Sequence, residues 1–217
     1  SFFDVQTTGQ AGGVDGANPD GITALTTANA RTADAYSGWD FDNVWYQTGD
    51  MRPILRSELT MNANGPTAIE NDHQLALIGA DLWGSYVLTR DIDLSATDAG
   101  TDASGIWSGQ GWVPLGGTGP SFYGTIDGGG HDVSGLKIDR NETGSVGLVS
   151  RSTRGSEIRD LGVVDASVVA GRHTGILIGR SASMLNNVHT SGSVAGQELV
   201  GGLVGESVGV IRQSHST

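Results

Sequence analysis

Three times in the last third of this chain, an aliphatic pair beside a small residue returns at a near-constant interval. Leu148-Val149-Ser150, Leu177-Ile178-Gly179 and Leu203-Val204-Gly205 align with steps of 29 and 26 residues. A second stretch follows each: Ile158-Arg159-Asp160-Leu161, Leu185-Asn186-Asn187-Val188 and Ile211-Arg212-Gln213-Ser214. Val133-Ser134-Gly135-Leu136, 25 residues before Ile158, reads as a degenerate earlier copy. A period of this size marks stacked repeats, in which one unit cannot bury its apolar side alone.

Each repeat reads as short strands joined by tight turns. A strand around the Leu-Val pair leads to Ser152-Thr153-Arg154-Gly155, Ser181-Ala182-Ser183 or Glu206-Ser207-Val208-Gly209. A second strand carries apolar residues at its first, fourth and sixth places, as in Val133/Leu136/Ile138 and Ile158/Leu161/Val163. A third short strand follows at Ser167-Val168-Val169 and Ser193-Val194, before Gly171 or Gly196 turns the chain. A helical repeat would need apolar residues at three-and-four spacing and far less Gly. One repeat places about five aliphatic side chains inside, worth roughly 1.5–3 kcal/mol each. Ordering its backbone costs more, about 1–2 kcal/mol per residue. Stacking is therefore obligatory, and the open ends of a stack are strand edges that need covering.

Composition narrows the function. Gly supplies 35 of 217 residues, which suits tight turns, while only 5 Pro and no G-X-Y period exclude collagen. The net charge of −12, from 24 acidic and 12 basic residues, argues against nucleic acid as a partner. Of the basic residues only Lys137 is a lysine, and Arg151, Arg154 and Arg159 are the nearest thing to a cluster. Their plainer reading is as solvated loop residues. The absence of Cys excludes disulfides, thiolate metal sites and cysteine nucleophiles. Neither a signal peptide nor an apolar run long enough to span a bilayer is present, so no membrane insertion is expected. The abrupt ends, Ser1-Phe2-Phe3 and His215-Ser216-Thr217, suggest a piece of something longer.

Three segments follow from these patterns. Residues 1–60 carry Trp39 and Trp45, a helix-compatible stretch from Thr26 to Asp34, and an apolar plug of Trp39, Phe41, Val44 and Trp45. Residues 61–120 form a lead-in cap. Within it, Asn71 or Asp72 starts a short amphipathic helix burying Leu75, Ile78 and Leu82, which Gly84 ends. Strands at Tyr86-Val87-Leu88 and Ile92-Asp93-Leu94 come next, then a long polar loop, Ser95–Gly111, the segment expected to be flexible. Residues 121–217 hold the repeats, entered through Phe122-Tyr123-Gly124-Thr125-Ile126.

The Gly-Leu-Val-Gly core at Gly202–Gly205, with copies at 147–150 and 176–179 that each lack one Gly, resembles the GLUG motif. That motif recurs in large bacterial surface exoproteins such as filamentous-haemagglutinin-like adhesins and some IgA-protease-type proteins. The runs Tyr86–Ser95, Gly111–Gly116 and Phe122–His131 are similar to the usual approach to such repeats. Ser1–Gln10 and Trp39–Trp45 are similar to the segment that closes an array. Closing-type sequence thus precedes opening-type sequence, which suggests one period of a tandem array cut inside a repeat. The resemblance implies a mainly β chain, a right-handed parallel β-helix with a small α/β lead-in and an aromatic closing segment. It implies a secreted, extracellular module at the bacterial cell surface, and it carries no shared catalytic residue and no cofactor.

Candidate chemistry was weighed residue by residue. Asp91 and Asp93 share one strand face, with Asp98 and Asp102 nearby, and could offer hard oxygen ligands to Ca²⁺; the plainer reading is turn carboxylates bonded to amides. Asp127, Asp132, Asp160 and Asp165 fall on successive repeats, where stacking alone could pair carboxylates as in glycan cleavage. Turn capping is the plainer reading there too. His131, His173, His189 and His215 lack a nucleophile or a ligand pattern. Asp127-Gly128-Gly129-Gly130 and Leu115-Gly116-Gly117-Thr118-Gly119 are turns, since no Gly-Lys-Ser/Thr follows. Asn141-Glu142-Thr143 is a formal glycosylation sequon, and no Thr ladder suited to ice is present. The expected role is therefore structural or adhesive and not enzymatic: a rigid stalk or ligand-presenting scaffold. Its partners would be a host or neighbouring-cell surface component or glycan, with end-to-end self-association. The alternative is a carbohydrate-binding or carbohydrate-cleaving module.

Overall fold

The computed structural model describes residues 1–13, 17–98, 105–117, 119–141 and 144–217. Its strands group into sheets in which neighbours lie one repeat apart in sequence and run parallel. The first long sheet takes, in spatial order, Thr67–Ile69, Ser85–Leu88, Thr125–Asp127, Glu157–Arg159, Met184–Asn186 and Val210–Arg212. A second takes Ile92–Asp93, Asp132–Ser134, Gly162–Ala170, His189–Ala195 and His215–Ser216, with Lys137–Arg140 on the far half of Gly162–Ala170. Two three-stranded sheets use Ser145–Val146, His173–Gly175 and Val200–Gly201, and Val149–Arg151, Ile178–Ser181 and Val204–Ser207.

Register keeps like residues in columns. Ile126, Ile158, Leu185 and Ile211 are successive partners, as are Val149, Ile178 and Val204. Val146, Val149, Ile158, Val163, Val168, Ile176, Leu177, Ile178 and Leu185 are each 0% exposed, which makes one dry interior. The earliest copy is corrected by this register. Ile126, not Val133, pairs with Ile158, while Val133 pairs with Val163. The cause is local: Gly129 and Gly130, at φ 61° and 83°, make a turn that puts seven residues between Ile126 and Val133, where Ile158 and Val163 are five apart. The expected second strand is also broken. Asp160 bends the chain at φ 50°, and the residues beyond it join the third strand as Gly162–Ala170.

The corners explain part of the composition. Asp160, Asn187 and Gln213 hold the same corner in three repeats at φ 48–53°, a left-handed conformation that Asn and Asp tolerate best. Asn187 Nδ2 donates to Asp160 Oδ1 at 2.6 Å along that column. The motif glycines answer to close approach: a Cβ on Gly147 would stand 2.6 Å from the Gly175 carbonyl, and one on Gly179 2.3 Å from the Val146 amide. Where copies lack a Gly, the place is filled. Ser150 is buried and donates its hydroxyl to the Ser145 carbonyl at 2.8 Å, and Ile176 is fully buried.

The lead-in follows its expectation with a shorter helix. Asn71 caps Asp72–Leu77 by accepting from the Gln74 amide at 2.9 Å. The chain then tightens into a 3₁₀ turn, Ile78–Ala80, instead of running on to Gly84. A wider coil is blocked at Gly79, where a Cβ would meet the Tyr46 hydroxyl. Leu75, Ile78 and Leu82 are buried as expected. The loop expected to be flexible lies in part, 99–104, outside the described residues, as do 142–143 of the sequon.

In the first sixty residues Phe2–Asp4 pairs parallel with Thr23–Leu25, and Trp45–Tyr46 antiparallel with Ile54–Leu55. The stretch from Thr26 to Asp34 is not an α-helix. It makes two three-residue 3₁₀ turns, Asn29–Arg31 and Ala33–Ala35, parted by extended Thr32, a β-branched residue that disfavours a coil. The aromatic plug forms from Trp39, Phe41 and Trp45, joined by Phe2 and Tyr36, with Trp39 stacked on Trp45 at 3.8 Å. Val44 departs from the plug and is 45% exposed. Tyr46, Met51, Ile54 and Leu59 enter the main core. Arginines complete the join. Arg31 donates to the carbonyls of Gly105, Ile106 and Trp107, Arg52 pairs with Asp4, and Arg140 pairs with Asp50 at 2.6 Å. No helix of the described residues is long and apolar enough to cross a membrane.

The buried column makes a graded prediction. Leu177→Ala should destabilise the chain by about 2–5 kcal/mol, because its cavity is closed on all sides. Leu203→Ala should cost clearly less, since Leu203 is only partly buried. Chemical denaturation of both variants checks this; equal losses, or the reverse order, would contradict the interior drawn here.

Candidate functional site

The candidate chemical residues concentrate on the second long sheet, where register sets them in a row. Asp132 and His189 both pair with Gly162, and His189 pairs with His215. Gly162 leaves no side chain between them, so Asp132 Oδ1 reaches His189 Nε2 at 3.3 Å. His189 and His215 stack with ring centroids 5.8 Å apart. At the other end of the row, Asp91 Oδ1 accepts from the Asp132 amide at 3.1 Å and lies 3.1 Å from His131 Nδ1. The amide and the imidazole hold the Asp91 carboxyl below its ordinary pKa.

Asp91 and Asp93 flank buried Ile92, as their strand spacing requires. Asp93 accepts from the Ser95 amide at 2.7 Å, a local turn bond rather than a shared pocket with Asp91. The Asp98 amide donates to the Ser95 carbonyl, and Asp102 lies outside the described residues. Among the described residues, no group of three or more His, Cys, Asp or Glu is placed to hold a metal ion.

The four repeat carboxylates go to different partners. Asp127 accepts from the Gly129 amide at 2.8 Å and from Arg159 at 2.6 and 3.0 Å. Burial pushes its pKa up, but the Arg159 guanidinium and the Gly129 amide outweigh this and hold it below the ordinary value. Asp160 occupies the left-handed corner and takes the Asn187 amide. Asp165 sits at a second positive φ, 53°, where its sheet register shifts and its amide donates to Ser191 Oγ. Asp132 faces His189. His173 lies apart, between the Gly144 carbonyl and Glu206.

A different feature was not anticipated. Trp83 and Tyr123 stack at 5.4 Å with planes 13° apart, and they remain 61% and 46% exposed. Each precedes a Gly by one residue and a register-paired strand residue, Ser85 or Thr125, by two. That matched aromatic-Gly pair, Trp83-Gly84 and Tyr123-Gly124, was the available signal. It is hidden by a spacing of 40 residues, longer than the later repeats. Beside Tyr123 runs a shallow trough that brings Arg151 and Arg154 together with Arg180, while Arg159 turns to the carboxylates of Asp127 and Glu157.

Among known proteins, the chain is 30% identical over 220 aligned residues to Halomucin of Haloquadratum walsbyi (strain DSM 16790 / HBSQ001). The alignment covers 86% of this chain, which spans only 2% of that protein's length. No family model and no solved structure matches.

The electrostatics predict how acid acts. Burial opposes ionisation of Asp4, but the hydroxyls of Thr27 and Thr7 with the Thr7 and Gln6 amides prevail and hold its carboxyl far below the usual range. Asp50 is likewise lowered: burial works against it, and Ser108 and Arg140 outweigh that. A carboxylate depressed in the folded state stabilises above its unfolded pKa and loses that contribution as pH falls. Thermal stability should thus be flat near neutrality and decline below about pH 4. Asp4→Asn should start lower at neutral pH and lose less on acidification. Melts recorded across this range check it; parallel decline of parent and variant would remove Asp4 from the account.

Proposed function

We propose that this chain is a stretch of parallel β-helix serving as a rigid structural and adhesive module of a secreted surface protein. Supporting this reading above all is the register: each sheet receives one strand per repeat, in the same order, with the same residues in columns. Such a ladder resists bending and grows by addition without needing a new core. The final repeat offers the means. Leu199, Val200, Val208, Val210 and Ile211 are 43–61% exposed along strand edges that carry no partner among the described residues. Further repeats, in the same protein or in another copy, would pair there and cover them. The similarity to a short part of a very long protein, Halomucin, is in keeping with a module repeated along a surface chain. The quoted GLUG-like residues favour the same setting at the cell surface.

A head-to-tail fusion of two copies tests this by small-angle scattering. The rod reading expects the maximum dimension to grow while the cross-sectional radius stays constant; two globules on a flexible joint would contradict it. A reducing-sugar release assay on acidic and neutral polysaccharides completes the test. Turnover that disappears in Asp160→Ala would replace the scaffold reading with an enzyme.

A further inference from the structure

The stacked rings and the trough beside them remain unused by a purely structural role. Trp83 and Tyr123 are fixed by their own backbones: the Trp83 amide donates to Asp81 Oδ1 at 3.1 Å, and the Tyr123 amide to the Leu82 carbonyl at 2.9 Å. Their rings are therefore held parallel while facing water. Large exposed rings are costly to solvate, and their faces suit an apolar surface with slightly positive hydrogens. The C–H face of a pyranose is such a surface.

The neighbouring ground supplies polarity. Ser121 and Thr125 flank Tyr123, and each lines one of two open depressions of about 390 and 340 Å³. The depressions share Arg154, Ala182 and Val208, so together they make one trough along the stack of repeats. Gly155, without a side chain, keeps it open beside Tyr123. Three of the chain's arginines line it, although the chain as a whole carries −12. Arg180 is paired with Glu206 at 2.9 Å. Arg154 has no ion-pair partner among the described residues, and Arg151 makes one long bond, 3.4 Å, to the Gly119 carbonyl. Two guanidinium groups without a carboxylate, in so acidic a chain, are arranged for an external anion.

We propose that the Trp83–Tyr123 stack and the Arg151–Arg154 trough form a binding site for an acidic polysaccharide. The rings take the face of one sugar, the hydroxyls of Ser121 and Thr125 meet its hydroxyls, and the arginines pair with carboxylate or sulfate groups further along the polymer. A nucleic acid is the less fitting occupant. Its closely spaced phosphates call for a basic surface, and two unpaired arginines on a strongly acidic chain do not provide one. This site names a ligand class for the adhesive half of the reading above and rests on it, whereas the rod geometry stands without it.

Affinity electrophoresis of the whole chain against polygalacturonate, dextran sulfate, neutral dextran and oligothymidylate tests the proposal. Retardation by either acidic polysaccharide and not by neutral dextran is expected, and the two arms tell carboxylate from sulfate recognition. Trp83→Ala and Arg154→Ala should each weaken binding about tenfold with the melting temperature unchanged, because both side chains are exposed. Three results would overturn it: no binding to any polymer, tighter binding to oligothymidylate, or binding that Trp83→Ala leaves intact, which is adsorption by charge alone. Because scattering from the fused pair reads shape and electrophoresis reads binding, loss of one leaves the other interpretable.

Discussion

The parallel backbone ladder between strands one repeat apart is the interaction on which the rest of this structure depends. Most strands here are only two to four residues long, too short to persist as an isolated pair. Each gains permanence because it is bonded on one side to the previous repeat and, except in the last, on the other side to the next. The same stacking brings Ile126, Ile158, Leu185 and Ile211 into contact, so hydrogen bonding and apolar burial are satisfied by one geometric operation. Neither would survive the loss of the other.

Keeping that ladder in register places firm demands on the corners. A corner must turn within one or two residues, which is why Asp160, Asn187 and Gln213 adopt positive φ in the same column. It must also let backbones approach closely, which excludes a Cβ at Gly147 and Gly179. Carboxylates that resemble catalytic pairs are largely engaged in this work. Asp127 ties the Gly129 turn to Arg159 on the next repeat, and Asp160 accepts from Asn187 on the one after. What the ladder does not need, namely the Trp83 and Tyr123 rings and the arginines of the trough, is where a ligand has room to act.

The period was legible because the inward positions admit little except Val, Ile and Leu, and because close approach preserves glycine. The alignment failed one repeat earlier, at Val133, for an equally physical reason: the Gly129-Gly130 turn inserts residues without disturbing the pairing on either side, so sequence spacing and spatial register part company. The cap at Asn71 was readable from its side-chain chemistry, whereas the shortened helix depended on Tyr46, distant in sequence. Thr26–Asp34 looked helical by composition, but Thr32 and the contacts of Arg31 with carbonyls 105–107 selected two tight turns. The aromatic stack could not be read from periodicity at all. Its two members are 40 residues apart and meet only because Ser85 and Thr125 are partners.

The most direct test of stacking uses the absence of native cysteine. Met184 and Val210 are exposed partners on adjacent strands, while Glu157 lies one strand further from Val210. Adjacent strands put Cα atoms about 4.8 Å apart, within disulfide range, and the next strand lies about twice as far, beyond it. Under mild oxidation, Met184→Cys/Val210→Cys should therefore lose its free thiols as monomer, and Glu157→Cys/Val210→Cys should retain them. Closure of the second pair in place of the first would contradict the one-repeat register on which the whole account is built.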